Sequence, residues 1–203
     1  MITDINQLDF SKKYTYADYL TWQFKERVEL IKGKLFRMSP APNVKHQKVV
    51  GDIHGNFWSF LKNRPCRVFV APFDVRLPNL EVDIIQRGYT VVQPDITVLC
   101  DDSKLDKQGC NGAPDLVVEV LSPGNTTKEM NDKFEAYQSA GVPEYWLVDP
   151  ERENIIIYTL NEDKEYIGSR PYTAGMKLPC KVLPGFILDM NDVFEGDKKG
   201  EVS

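Results

Sequence analysis

The sequence predicts a mixed α/β (α+β) chain, with a largely antiparallel sheet and helices packed against it. Three observations carry this reading. Short apolar runs bounded by Gly, Pro and polar residues recur along the chain, as strands do. Two longer stretches carry helix signals, one in its apolar spacing and the other in its start and stop residues. Apolar runs never reach the about 18 residues that a membrane span needs.

The elements follow in order. Thr15 and Asp18 make a capping-box-like start to a short helix ending near Trp22. Residues 27–31 and 34–38 flank Lys32 and Gly33 and read as a hairpin. Pro40 and Pro42 break the chain. Val49, Val50, Ile53, Phe57, Phe60 and Leu61 then fall on one side of a helix over 44–61. Strands are expected at 67–77, 82–85 and 91–100, followed by a polar loop over 101–113 and a strand around Glu119. Residues 122–126 form a turn. Thr126 and Glu129 open a helix that Gly141 ends. A strand over 144–148 and a hairpin of 155–160 with 164–172 complete the sheet, and the charged tail from Gly196 is expected to fray.

Composition narrows the function. A chain of 203 residues suits one domain, 1–203, with 42% hydrophobic and 27% charged residues. A net charge of −5 argues against a strongly basic nucleic-acid binder, though it leaves room for a local basic groove. The first twenty residues carry Asp4, Asp9 and Asp18 and no apolar core of a signal peptide. Cys66, Cys100, Cys110 and Cys180 are scattered without a CxxC pair, so the expectation is reduced thiols in a cytoplasmic protein, with neither a zinc site nor a disulfide framework.

The most informative residue is Glu119, a carboxylate inside the apolar run DLVVEVLS of 115–122. An ionised carboxylate away from water needs a compensating partner. Alternation puts Asp115, Val117, Glu119 and Leu121 on one face, and Asp95, Thr97 and Leu99 on one face of the preceding strand. If these strands pair with Leu99 opposite Asp115, Asp95 falls opposite Glu119, with Cβ atoms roughly 4.5–5.5 Å apart. Two carboxylates that close call for a cation or a proton between them. In the next helix, Lys133 lies on the apolar side with Met130, Tyr137 and Ala140, within reach of Glu119. Asp95, Glu119 and Lys133 together suit metal-dependent phosphodiester hydrolysis. The two carboxylates would hold Mg²⁺, and the lysine would orient water or bind phosphate. A buried structural ion pair of Glu119 and Lys133 is the competing reading.

Accessory candidates are Glu29, in an early strand; His46, at a helix N-terminus beside Lys45 and Lys48 and placed for a phosphate contact or a proton relay; and Tyr137, one turn from Lys133. Asp115 lies about 13 Å along the strand from Glu119 and suits a turn-anchoring role. Tyr145 and Trp146 read as packing, and His54 as structural.

The segments 112–123 (GAPDLVVEVLSP), Lys133 with Tyr137, and 140–149 (AGVPEYWLVD) resemble the Uma2 family, common in cyanobacteria and assigned to the PD-(D/E)XK restriction-endonuclease-like fold. Further matches are 28–33 (VELIKG), 39–42 (SPAP) with His46, and 93–95 (QPD), so the resemblance spans about residues 15–190. It implies a nuclease-like core of sheet and flanking helices, Asp95 as the first acidic position and Glu119 as the acidic residue of the (D/E)XK element. The lysine of that element is missing at Leu121, and the resemblance places it on the next helix as Lys133. The implied activity is a Mg²⁺-dependent (or Mn²⁺-dependent) endonuclease acting on nucleic acid, DNA first, with no membrane partner. The alternative is a weak or inactive nuclease-fold protein serving as a nucleic-acid-binding module or as a structural homodimer, joined through aromatics such as Trp58 or Tyr89.

Overall fold

A computed structural model describes residues 2–38, 43–77, 90–124 and 126–194. The first helix, α1 (Tyr16–Tyr19), has the full reciprocal capping box of Thr15 and Asp18. The hairpin of β1 (Val28–Ile31) and β2 (Lys34–Arg37) turns at Lys32 and Gly33, both with positive φ, as a two-residue type I′ turn requires. The long helix α2 (Val44–Leu61) starts at Asn43, whose side chain accepts from the His46 N–H.

Two expected strands each divide in two. Residues 67–77 become β3 (Arg67–Val70) and β4 (Asp74–Leu77), broken at Pro72; residues 91–100 become β5 (Thr90–Val92) and β6 (Ile96–Leu99), broken at Pro94. Proline supplies no N–H to a ladder, so each break lets the chain leave one sheet for another. The expected polar loop contains β7 (Leu105–Asp106) and β8 (Gly109–Asn111). Then come β9 (Leu116–Val120), α3 (Thr127–Ala140), β10 (Glu144–Asp149), β11 (Asn154–Leu160), β12 (Tyr166–Gly168), β13 (Tyr172–Thr173), β14 (Lys177–Pro179), β15 (Ile187–Asp189) and α4 (Asn191–Phe194). Gly141 closes α3 in the left-handed conformation, at φ 81°. The expected strand at 82–85, the Ser39–Pro42 motif, Tyr89, Asn125 of the turn and the tail from Gly196 lie outside the described residues.

The larger sheet runs β12-β11-β10-β9-β6-β3, and the second runs β2-β1-β5-β4-β8-β7. Among the described residues, the named strands pair antiparallel except β9 with β10 and β4 with β8. Each face of the larger sheet has its own core. On one, Val49, Ile53, Phe57 and Leu61 of α2 pack with Val98, Val118, Val120 and Trp146. On the other, Ala136, Tyr137 and Ala140 of α3 pack with Leu99, Val117 and Tyr145, and the second sheet adds Ile31, Val75 and Val92. The β9 side chains alternate between these cores, so an odd-numbered residue such as Glu119 faces α3.

One feature corrects the sequence reading and one adds to it. Cys66 and Cys100 form a disulfide across the β3–β6 edge, which corrects the expectation of four reduced thiols; Cys110 and Cys180 are free and buried. Alkylation of the denatured, unreduced protein is therefore expected to label Cys110 and Cys180 alone. Mass spectrometry showing all four labelled contradicts the link. The second feature is Glu144, fully buried and holding the chain before β15. The Trp146 indole N–H donates to its Oε1 at 2.6 Å, and the Lys181 and Val182 N–H groups donate to its Oε2 at 2.8 and 3.1 Å. Glu144→Ala strands three donors and is expected to cost about 3 kcal/mol or more. A urea midpoint unchanged from wild type contradicts that role.

Candidate active site

β6 and β9 pair with Ile96 opposite Val118, Thr97 opposite Val117 and Val98 opposite Leu116. This is the register the sequence suggests, and it places Asp95, just before β6, beside the end of β9. The Val120 N–H donates to Asp95 Oδ2 at 2.8 Å, which fixes that carboxylate at the sheet end. Asp115 anchors the other end, accepting from the Cys100 N–H at 2.7 Å.

Glu119 sits under α3. Lys133 and Tyr137 lie one turn apart on the same helix face, and both reach Glu119 Oε1: the ammonium at 3.0 Å and the phenol hydroxyl at 2.5 Å. The same ammonium lies 3.0 Å from Glu29 Oε1, so Lys133 bridges two carboxylates rather than one. Glu29 is carried by β1 and is 1% exposed; the Gln93 N–H also donates to its Oε1, at 2.7 Å. Gln93 extends the network. Its amide N–H donates to Asp74 Oδ1 at 2.7 Å, and its carbonyl accepts from Arg27 at 2.7 and 3.1 Å. The Tyr19 hydroxyl donates to the same Asp74 oxygen at 3.3 Å.

His46 lies at the first turn of α2, its Nε2 3.4 Å from Asp95 Oδ2. The ring is buried, and among the described residues its Nδ1 has no hydrogen-bond partner. The structure therefore gathers Glu119, Lys133, Glu29 and Tyr137 in one hydrogen-bonded cluster, and holds Asp95 and His46 as a pair next to it through the Val120 N–H. A small cavity of about 10 Å³ adjoins it, lined by Glu119, Leu121, Glu129, Lys133 and Tyr145 among others. That is about the least space that holds one water-sized species. Leu121, where the resemblance expects a lysine, is part of its wall.

The charges explain the titration behaviour. Burial pushes the Glu119 carboxyl up. Lys133 opposes this, Glu29 and Asp95 add to it, and the result is a pKa of about 7 against an ordinary 4.5. Burial would lower Lys133, but Glu119 and Glu29 outweigh it and hold the ammonium charged. Burial and the same two carboxylates raise Tyr137 well above its ordinary value, so it stays a neutral donor. Burial depresses His46, and Asp95, with smaller help from the Val120 backbone and Glu119, more than restores it, leaving it raised. Two carboxylates, Glu29 and Glu119, face a single ammonium, an excess of negative charge that a bound cation or a proton relieves.

Carboxylate oxygens are the donors a hard cation prefers. Among the described residues no three His, Cys, Asp or Glu side chains gather around one point. A metal here would rest on Asp95 and Glu119 and complete its shell with water and substrate oxygens, as Mg²⁺ commonly does. Sequence reasoning missed Gln93, Asp74, Arg27 and Tyr19. The QPD motif marks the first of these, but Asp74 and Arg27 reach the site only through pairing of β4, β5 and β1, and Tyr19 is brought there by α1. It also passed over Glu129, whose place four residues before Lys133 was a readable signal.

A family model described as "Uma2: Putative restriction endonuclease" matches residues 16–191. A Synechocystis sp. (strain ATCC 27184 / PCC 6803 / Kazusa) protein described as "Uncharacterized protein slr1290" is 25% identical over 187 residues, covering 91% of this chain and 93% of that protein. The crystal structure of a "putative nuclease belonging to DUF820" from Anabaena variabilis ATCC 29413 superposes with a TM-score of 0.67 at 21% identity, over 90% of this chain and 98% of that one. At that identity the likeness establishes a shared mixed, mostly antiparallel α+β fold. With the family model matching across nearly the whole chain, the protein belongs to the Uma2 family.

Proposed function

We propose that this protein is a divalent-metal-dependent endonuclease that hydrolyses phosphodiester bonds of DNA, a variant of the PD-(D/E)XK arrangement with its lysine carried on α3. The single observation behind this reading is the Lys133 ammonium, 3.0 Å from each of two carboxylates, Glu29 and Glu119, with the Val120 N–H next along the strand holding Asp95 at the sheet end. The nuclease-related descriptions of the family and of the Anabaena protein support it.

Held by Asp95 and Glu119, Mg²⁺ or Mn²⁺ would supply an acidified water and stabilise charge on the phosphoryl group. The chain's own residues do the rest. The Val120 N–H and His46 hold Asp95, and Tyr137 and Lys133 hold Glu119 by one oxygen. Lys133 stands where it can orient a water or meet a phosphate oxygen, and Glu29 keeps it charged and in place.

The test is nicking of supercoiled plasmid with Mg²⁺ or Mn²⁺. Activity is expected to vanish in chelator and to fall about 10²-fold or more in Asp95→Asn, which still accepts from Val120. Nicking at the wild-type rate in either arm overturns the proposal. Leu121 in the lysine position and the lack of a third clustered ligand among the described residues favour a second reading, a nuclease-fold protein that binds DNA without cutting it. Its signature is tight, chelator-insensitive DNA binding with no nicking.

A further inference from the structure

Beyond the catalytic cluster, we propose that a cleft at the opposite end of α2 binds a nucleotide unit, its base against Trp58 and its phosphate among Lys62, Arg64 and Arg67. The cleft holds about 680 Å³, within the range of small-molecule sites. Its walls are the last turn of α2, the turn that follows, and the paired edge of β3 with the Cys66–Cys100 disulfide. Trp58 stands roughly 18 Å from His46 along α2, so this site is separate from the Asp95–Glu119 cluster.

Charge and aromatic surface together indicate the ligand. On a chain of net charge −5, three cations and one carboxylate line the cleft. The carboxylate, Asp102, is taken up by Arg67 through two hydrogen bonds of 2.7 Å. Lys62 and Arg64 rest on rings instead: the ammonium 5.4 Å from the centre of Trp58, and the guanidinium 4.0 Å from the centre of Phe60. Trp58 is 54% exposed, unusual for so large an apolar side chain. A cation resting on an aromatic ring can release toward an anion, leaving the ring to stack. A phosphate alone would not use the indole, and an apolar ligand would not use the cations. A nucleotide uses both, as stacking platforms with cationic rims do for single strands. Its source is a free nucleotide or one nucleotide of a strand.

The experiment follows tryptophan fluorescence of the full chain in chelator, where cleavage plays no part, so its outcome is independent of the nuclease proposal. Thymidine 5′-monophosphate and an oligodeoxythymidylate are titrated separately. Saturable quenching is expected, because Trp58 is open to a ligand while Trp146 is fully buried and Trp22 is half-buried among Tyr14, Tyr19 and Phe24. The Lys62→Gln, Arg64→Gln double variant should bind at least tenfold more weakly, and thymidine without its phosphate should show a similar loss. Binding of the mononucleotide identifies a free nucleotide as ligand; binding of the oligomer alone identifies a strand. Absence of saturable quenching by both, equal affinity in the double variant, or equal binding of thymidine overturns the proposal.

Discussion

Replacing Lys133 with methionine is expected to lower stability at about pH 8 by about 3–5 kcal/mol and to abolish cleavage. The reason is geometric. One ammonium lies 3.0 Å from both Glu119 and Glu29, and the lysine and Glu29 are almost wholly buried. Methionine fills much of the same space, so the loss is chiefly that of two carboxylates left facing each other without a cation. The defect should shrink toward about pH 5, where Glu119 can take up a proton instead. Adding Glu119→Gln to Lys133→Met should recover part of the lost stability, because the two residues are directly coupled. Urea titrations of the single and double variants read this out. Equal stability of wild type and Lys133→Met at about pH 8 contradicts the bridging role.

Glu119→Gln is the second large effect, and here stability and activity should move in opposite directions. The glutamine oxygen can still accept from Tyr137 and Lys133, so the fold is retained. Cleavage should fall by about 10²–10³-fold through loss of a charged ligand. The stability sign follows from the raised Glu119 pKa, about 7 when folded against an ordinary 4.5. The folded protein holds this proton more tightly than the unfolded chain, so the group's contribution is fully present below about pH 4.5 and is lost as pH rises through about 7. Glutamine mimics the protonated form at every pH. In chelator, the variant should therefore gain on wild type as pH rises across that window, by up to about 3 kcal/mol, and keep that advantage above it. Added Mg²⁺ should narrow the gap by stabilising wild type alone. A difference between the two proteins that does not vary with pH contradicts the buried, charge-crowded setting of Glu119.

Much of this site could be read from local pattern. Alternation put Asp95 and Glu119 on matching faces, and one pairing register joined them. Helical spacing put Lys133 and Tyr137 on one side of α3, and the capping residues Thr126 and Gly141 bounded that helix. What escaped depends on long-range pairing. Glu29 was named, but that it is the second partner of Lys133 follows only once β1 is carried against α3. The Gln93–Asp74 support needs the second sheet, which forms because Pro72 and Pro94 split what read as two continuous strands. The Cys66–Cys100 link depends on Arg67 pairing with Leu99, a register no local signal announces across a separation of 34 residues.

The proposed function requires that Asp95 and Glu119 hold a divalent ion near the Lys133 ammonium. Anomalous diffraction from crystals grown with Mn²⁺ tests it most directly. The expected result is a peak between the two carboxylates, with oxygen ligands near ~2.1–2.2 Å, that disappears in Glu119→Gln. Crystals of active protein with no density there, or with the ion bound elsewhere, would contradict it.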